Sequence, residues 1–279
     1  MYSVFKISIA MLLVVGPAAR TFGAPATNVE PLRVCADPAN PPYSSEKGDG
    51  FENKLARMLG KSLNRPVQFV WTPERGNYLE KSLDAGKCDV VMSIPAESDE
   101  AAVSSPYYRS TYVFVTRTDR PAIRSFDDPK LKTSRIGVNV IGHESGSSPA
   151  AMILSDRGLG PQIRWYRLLG DYTSSASNAE LLEALQNGDV DVAIMWGPNA
   201  QHLATTSKIP LRVAPVHPSK VGQISLAFDI SMGVRPNDRA LLSQLNVFIA
   251  RNRVAIHRVL DEYQIRAPDV GAEFSSAGK

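Results

Sequence analysis

Two widely separated segments of the chain follow the same pattern. Residues 83–96 (LDAGKCDVVMSIPA) and residues 185–198 (LQNGDVDVAIMWGP) each read as a helix end, a glycine, a short polar bridge, an aspartate, an apolar strand and a proline-containing loop. In open α/β sheets, ligands bind at the carboxyl ends of the strands. The repeat therefore predicts two similar α/β lobes with functional loops at these strand ends. A general likeness between any two βα units is the alternative.

Strand and helix patterns alternate around this repeat. The first series has strands at 32–36, 67–71, 89–94 and 107–116, a helix at 51–63, and a short helix at 79–85 that Gly86 ends. The second series has strands at 135–140, 190–195 and 230–234, a helix at 180–186 that Gly188 ends, and a long helical face at 238–263 with room for one break. This order predicts an open, mostly parallel α/β sheet.

The composition is that of a soluble globular protein. Of the 279 residues, 43% are hydrophobic and 21% are charged, and the formal net charge is +3. The first 26 residues contain Lys6 and Arg20 and no acid, so without them the net charge is +1. A charge so close to zero, with no Lys/Arg cluster in the sequence, argues against nucleic acid or an anionic membrane as a partner.

The amino terminus has the pattern of a signal peptide. Lys6 precedes the apolar run ISIAMLLVV at 7–15, which is too short to span a bilayer, and residues 24–26 (APA) form an A-x-A-like cleavage site. We expect cleavage near 24–26 and export, without stable membrane insertion afterwards. An amino-terminal membrane anchor is the alternative.

The chain contains two cysteines, Cys35 and Cys88. Export would place them where disulfides persist, and two thiols allow one intramolecular pairing. Closing the loop between them would stabilise the fold by roughly 4 kcal/mol on the chain-entropy model. Two buried free thiols are the alternative.

Known catalytic, metal and cofactor motifs do not occur in the sequence. The histidines His143, His202, His217 and His257 form no H-E-x-x-H or other close ligand spacing. There is also no G-x-S-x-G elbow, Walker A loop or Rossmann fingerprint. These residues indicate a protein that binds without catalysis, metal or cofactor.

Five segments resemble the type II periplasmic solute-binding proteins. They are LRVCADPANPPYS (32–44), GFENKLA (50–56), CDVVMSIP (88–95), SPYYRSTYVFVTR (105–117) and SMGVRPND (231–238). The resemblance covers residues 32–265 and implies an α/β fold of two lobes, joined by two hinge crossings, with a ligand cleft between them. It divides the chain into a signal peptide (1–26), lobe 1 (27–118 plus 224–266), lobe 2 (119–223) and a flexible tail (267–279).

Three segments, at 34–44, 74–96 and 105–117, resemble more narrowly the branch associated with quinoprotein (pyrroloquinoline quinone) methanol dehydrogenases. This resemblance implies a periplasmic protein whose partner is the dehydrogenase or its cytochrome. It also places the strands that carry Cys35 and Cys88 side by side, which makes a bridge between them geometrically plausible.

The sequence departs from the amino-acid binders of this family at two places. Those proteins carry an Arg after the third strand, where residues 95–100 read PAESDE, and an Asp after the matching strand of lobe 2, where residues 196–198 read WGP. Each charge-assisted hydrogen bond contributes about 1.5–3 kcal/mol. An amino-acid zwitterion would lose both partners, so ordinary amino-acid uptake is not expected.

The candidate ligand-binding residues come from strand ends, from the approach to the hinge and from the first helix. Arg75 could hold an anion or a partner's carboxylate, or be a plain surface arginine, and Trp196 could fill the pocket or stack on a planar group. Glu52 either shapes the cleft or serves as a first-turn helix acid. The full set is Asp37, Tyr43, Glu52, Arg75, Tyr78, Ser93, Pro95, Ala96, Tyr107, Tyr108, Arg109, His143 and Trp196.

Three functions remain open from the sequence. The first is an accessory protein that binds a quinoprotein methanol dehydrogenase or its subunits and aids maturation or activity. The second is a substrate-binding protein of an ABC transporter for a small solute other than a standard amino acid. The third is a dehydratase-like enzyme on the same fold, for which Glu52 or His143 would supply the acid or base.

Overall fold

The computed structural model describes Met1 and residues 29–73, 77–140, 148–167 and 179–265. The predicted signal peptide beyond Met1, the predicted tail at 267–279, and the candidate site residues Arg75 and His143 lie outside the described residues. Within the described ranges, no helix is long and apolar enough to cross a membrane.

Strands and helices alternate along the described chain, as the sequence patterns predict. The strands are β1 (Leu32–Ala36), β2 (Ala39–Asn40), β3 (Ser44–Ser45), β4 (Val67–Trp71), β5 (Val90–Pro95), β6 (Ala102–Val103), β7 (Tyr108–Arg117), β8 (Ile136–Val140), β9 (Ile163–Arg167), β10 (Val192–Trp196), β11 (Leu211–Pro215), β12 (Lys220–Val221), β13 (Ile224–Ser225) and β14 (Ala227–Val234). The α-helices are α1 (Phe51–Ser62), α2 (Pro149–Asp156), α3 (Ala179–Asn187), α4 (Gly197–Thr206) and α5 (Arg239–Glu262). The short helix expected at 79–85 is a π-helical turn at Glu80–Asp84.

One mixed sheet joins most of the described strands, in the order β4-β1-β5-β14-β7-β10-β8-β9. Strand β1 is parallel to β4 and β5, and β8 is parallel to β9 and β10, so each series forms a parallel group. Strand β7 is antiparallel to its neighbours: residues 108–111 pair with β14, and residues 112–115 pair with β10. Strand β7 therefore connects the two parallel groups.

The repeated sequence pattern forms the same local structure twice. In the first copy, the Asp89 carboxylate accepts hydrogen bonds from the backbone N–H of Arg33 at 3.0 Å and from its guanidinium at 2.6 Å, and the guanidinium also reaches the Gly86 carbonyl oxygen. In the second copy, Asp191 accepts the equivalent bonds from Arg135, whose guanidinium donates to the Gly188 carbonyl oxygen. Both glycines have a positive φ, +70° and +78°, a conformation that favours glycine. In each copy, these bonds connect one strand to the end of the helix that precedes the neighbouring strand.

Separate apolar cores lie on the two parts of the sheet. One core packs α1 and α5 against β1, β5 and β14 and includes the fully buried Phe51, Met92 and Phe248. On β7, the adjacent residues Phe114 and Val115 belong to different cores, because successive side chains of a strand point to opposite faces. Helices therefore cover both faces of the second parallel group.

Helix α5 is broken once, as its long apolar pattern allows. Asn252 has non-helical backbone angles (φ −112°, ψ 15°), and its side-chain amide donates to the Phe248 carbonyl oxygen at 2.9 Å. The Asp238 side chain caps the start of the helix by accepting from the backbone N–H of Leu241 at 3.1 Å.

Cys35 of β1 and Cys88, which precedes β5, form a disulfide with a Cα–Cα distance of 5.3 Å. The two strands are hydrogen-bonded neighbours, with Cys35 paired to Val91. The predicted pairing is confirmed, and the alternative of two free thiols is wrong.

Candidate functional site

A well-formed cavity lies where strands from both parallel groups end. It has a volume of about 460 Å³, within the range of small-ligand sites. Its lining includes the acids Asp37 and Glu52, the amides Asn40, Asn139 and Asn199, the hydroxyls of Tyr43, Tyr78, Tyr112, Ser44, Ser93 and Ser148, and the apolar groups of Met92, Pro149, Ile194, Met195 and Trp196. No Lys or Arg is among the described lining residues.

Glu52 lies in the first turn of α1 and faces this cavity. Gly50 lets the helix start close to the preceding turn, since a Cβ at this position would lie 2.0 Å from the Tyr43 carbonyl oxygen. Burial raises the pKa of Glu52 to about 7, although a hydrogen bond with Ser93 acts in the opposite direction and the negative charge of Asp37 adds to the rise. A carboxyl group of this kind can hold or release a proton near neutral pH.

Hydroxyl groups converge on Ser93 of β5. The Ser93 Oγ lies 3.3 Å from the Tyr107 Oη and 3.4 Å from the Tyr108 Oη. Tyr107 donates its proton to the Met92 carbonyl oxygen at 2.7 Å, so Tyr107 can only accept from Ser93. Burial raises the pKa of both tyrosines, which remain neutral phenols in this cluster.

Two sets of contacts join residues of the second parallel group to the rest of the site. The Tyr43 hydroxyl donates to the Oδ1 of Asn199, on the first turn of α4, at 3.1 Å. The Trp196 ring, at the end of β10, packs edge-on against Tyr112 at 5.6 Å and at a tilt against Phe228 at 6.0 Å. Trp196 therefore contacts β7, which is the neighbour of its own strand β10, and β14, which is the next strand beyond β7.

An apolar extension of about 350 Å³ shares Tyr43, Ser93, Tyr112 and Trp196 with the main cavity. Pro149 also lines both cavities, and the further lining of the extension is Ile94, Pro95, Tyr108, Phe228 and Ile230. The site thus has a polar part around Glu52 and an aromatic part around Trp196.

The structure brings together many of the candidate residues selected from the sequence. Those that line the main cavity are Asp37, Tyr43, Glu52, Tyr78, Ser93 and Trp196. Pro95 and Tyr108 line the apolar extension. Tyr107 is buried and reaches the site through its hydroxyl, at Ser93.

Ala96 and Arg109 are not among the residues that line either cavity. The Arg109 guanidinium pairs with Asp229 of β14 at 3.1 Å, and the Ala96 backbone N–H donates to the Asp229 carbonyl oxygen at 2.9 Å. Both residues lie at the β14 edge of the site and tie strands together there. Arg75 and His143 are outside the described residues.

Sequence reasoning missed several lining residues, among them Asn40, Tyr112, Asn139, Ser148 and Asn199. Asn199 lies at the start of α4, directly after β10, and Ser148 lies at the start of α2, after the loop that follows β8. Each is next to a proline at the first helical positions. A proline just inside a helix start after a strand marks such a position in the sequence. Tyr112 lies in the middle of a long strand and has no comparable signal.

Within the described residues, no group of three or more His, Cys, Asp or Glu side chains could hold a metal ion.

Comparison with known proteins decides the family. The model of the bacterial extracellular solute-binding proteins, family 3, matches residues 32–255. The chain belongs to this family. It is a type II periplasmic binding protein of the MoxJ branch, because it is 31% identical over 244 residues to protein MoxJ of Methylorubrum extorquens, a match that covers 83% of this chain and 79% of the relative. Protein MoxJ of Paracoccus denitrificans is 28% identical over 268 residues, which is 88% of this chain and 93% of the relative.

Solved structures agree with this branch. The periplasmic binding protein XoxJ from Methylobacterium extorquens AM1 has a TM-score of 0.70 at 32% identity, covering 85% of this chain and 99% of that one. MxaJ from Methlophaga aminisulfidivorans MPT has a TM-score of 0.73 at 25% identity, covering 84% and 99%. An ancestral arginine-binding protein bound to glutamine shares the fold alone, with a TM-score of 0.59 at 21% identity.

The site of this solute-binding protein differs from an amino-acid clamp at the two places that the sequence indicates. The loop after β5, residues 96–100, contains no Arg and none of its residues lines either cavity, while Pro95 at the end of β5 lines the apolar extension. At the second place, Trp196 packs against Tyr112 and Phe228 and supplies no acid. The site is thus aromatic where amino-acid binders are charged.

Proposed function

We propose that this protein is a periplasmic accessory of a pyrroloquinoline quinone-dependent methanol dehydrogenase system. It binds the dehydrogenase or its subunits, or the cytochrome of that system, and aids maturation or activity without catalysing a reaction. Its likeness to MoxJ, MxaJ and XoxJ supports this proposal. Export with removal of residues 1–26 is part of it, since the family is one of extracellular proteins.

The observation that carries the proposal is the place of Trp196. A transport protein of this fold for amino acids would need charged groups at the two clamp positions, and none of the described lining residues supplies a cation for a ligand carboxylate. Trp196 instead packs against Tyr112, its partner in the β10–β7 strand pair, and against Phe228 of β14. This arrangement favours a role for the outer surface over capture of an amino acid.

The predicted lobes are part of the proposal. Lobe 1 would comprise residues 27–118 and 224–266, and lobe 2 residues 119–223, with β7 and β14 passing between them. The change of partner along β7, from β14 to β10, supports a crossing within this strand. The Tyr43–Asn199 hydrogen bond would then join the two lobes.

A binding assay with purified components tests the proposal. The mature protein is immobilised, and the dehydrogenase and the cytochrome from methanol-grown cells are passed over it separately at about 150 mM salt. We expect saturable binding of one of them. The matched control is the same protein after urea unfolding. If neither is retained while a small molecule is released from the native protein, the accessory role is wrong.

Binding of a small solute is the second candidate, and the main cavity of about 460 Å³ is the observation in its favour. The solute would not be a standard amino acid. Isothermal titration with panels of small polar molecules tests this role, with Ser93→Ala as the variant inside the cavity and Ser98→Ala in the following loop as its control. Tight binding that only Ser93→Ala weakens would establish the solute role.

A further inference from the structure

Helix α4 follows a strand of the second parallel group, yet its start contacts residues of the first. Asn199, in the first turn, accepts a hydrogen bond from the Tyr43 hydroxyl at 3.1 Å. Trp196, the N-cap residue of the same helix, packs against the core that surrounds α1, α5 and β5. One helix start therefore reaches from the second parallel group to the first.

His202 provides a third contact of this kind. Burial lowers the pKa of His202, and the negative charge of Asp49 acts in the opposite direction. Charges act on each other in this way at short range, so Asp49 lies near the helix. Trp196, Asn199 and His202 are spaced by three residues and share one side of the helix start. We call these three residues the α4 face, and residues 43–49 the facing segment.

The facing segment is held in place by helix α1. The carboxamide oxygen of the fully buried Asn53 accepts hydrogen bonds from the backbone N–H groups of Ser45 at 3.0 Å and of Gly50 at 3.2 Å. The Tyr43 ring packs against Phe51, with the ring centres 5.1 Å apart. The Tyr43 hydroxyl is therefore presented to α4 from a well-fixed support.

Helix α4 is equally well fixed on its own side. Gly197 lies so close to β7 that a Cβ on it would be 2.8 Å from the Ser110 Oγ and 3.0 Å from the Thr111 carbonyl oxygen. Ala200 and Leu203 of the helix are buried in one of the cores of the second parallel group. Two well-fixed elements thus meet at the α4 face, and a movement between them has to break its contacts.

Binding proteins of this fold close their lobes around a ligand, by a hinge movement. Here the Tyr43 hydroxyl supplies a bond between the two parallel groups from the protein itself. We propose that the α4 face and the facing segment form a latch, which holds the lobes closed through contacts of the protein alone. The inference rests on the division into lobes that is part of the proposed function. A latched molecule offers the dehydrogenase system one fixed outer surface, whether or not a solute is bound.

Spin labels can measure the distance between the lobes in the mature protein. Cys35 and Cys88 are joined in the disulfide, so labels attach to cysteines introduced at two exposed positions, Lys61→Cys in lobe 1 and Lys208→Cys in lobe 2. The protein is dialysed in urea and refolded to remove any bound solute. Double electron–electron resonance then gives the distribution of label distances. For the wild-type cleft we expect a single, short distance.

Three variants of the labelled protein remove the central bond of the latch. Tyr43→Phe deletes the donor, Asn199→Leu deletes the acceptor, and the third variant combines both changes. Loss of one hydrogen bond should raise the population at longer distance about fivefold in each single variant. The double variant should show the same population as the single variants, because both changes remove one shared bond.

The matched control is Tyr166→Phe, which removes a tyrosine hydroxyl on β9, outside the latch. It should give the same distances as the wild type. Thermal unfolding checks that all forms are folded.

The outcomes separate the latch from the accessory role. If the wild type shows a mixture of distances that no variant changes, or if the single variants stay closed, the latch is wrong. Additive effects of the two changes would also contradict it, because they would come from separate contacts. Binding of the purified dehydrogenase and of the purified cytochrome to the same labelled protein is measured separately. If the variants open as expected and neither probe binds, the latch is correct and the accessory role is wrong.

Discussion

The pH dependence of stability offers a direct test of the polar part of the site. Burial raises the pKa of Glu52 from 4.5 to about 7. Between these two values the folded protein keeps a proton on Glu52 that the unfolded chain has lost, so the contribution of Glu52 to stability is fully present below pH 4.5 and is lost as pH rises through 7. Integrating over both ionisations makes the loss about 2.5 kcal/mol between pH 5 and pH 8.

The replacement Glu52→Gln removes this dependence because a carboxamide does not ionise in this range. Because Glu52 is partly exposed, we expect the variant to gain roughly 1.5–2.5 kcal/mol over the wild type between pH 5 and pH 8. Urea unfolding at several pH values measures the difference. Glu97→Gln, at an exposed position in the loop after β5, is the matched control. Parallel pH profiles for the wild type and Glu52→Gln would refute the reasoning.

Three further predictions concern other parts of the structure. Burial raises the pKa of Asp89, but the hydrogen bonds from Arg33 and Arg235 outweigh it and lower the pKa. The variant Asp89→Asn should therefore lose about 3 kcal/mol of unfolding free energy at pH 7. The loss should become smaller as pH falls through the range where the wild-type carboxylate protonates. Acid titration of both proteins by circular dichroism checks this, and equal stability at pH 7 would contradict it. Replacing both Cys35 and Cys88 by Ser should cost about 4 kcal/mol because the closed loop has a sequence separation of 53, as urea unfolding would show; an unchanged midpoint would contradict the loop-closure argument. Trp196→Ala should cost about 2–3 kcal/mol through lost contact with Tyr112 and Phe228, measured by calorimetry, and Trp71→Ala on the outer strand β4 serves as the comparison.

Much of the fold was predictable because its signals are local. The Gly-x-x-Asp-strand pattern appears twice in the sequence, and each copy needs only a positive-φ glycine and an aspartate to tie neighbouring strands together. The parallel groups follow from the alternation of apolar strands with helical spacing. The sequence also allowed a break in α5, from its interrupted apolar face, and predicted the disulfide, from the cysteine count.

The candidate site was predictable only in part. Asp37, Tyr43 and Glu52 line the cavity because they follow a strand end or begin a helix, and such positions are visible in a sequence. Arg109 follows Tyr108 directly, yet it pairs with Asp229 instead of entering the cavity, since alternate side chains of a strand point to opposite faces. The sequence does not tell which of the two faces lies toward the site.

By itself, the sequence determined the two similar α/β units and the main strands and helices of each, because these depend on residues close together in the chain. Tertiary structure alone decided which distant side chains meet. Tyr43 and Asn199 are 156 residues apart and share a hydrogen bond. Contacts of this kind depend on how elements pack, and packing is a property of the whole chain.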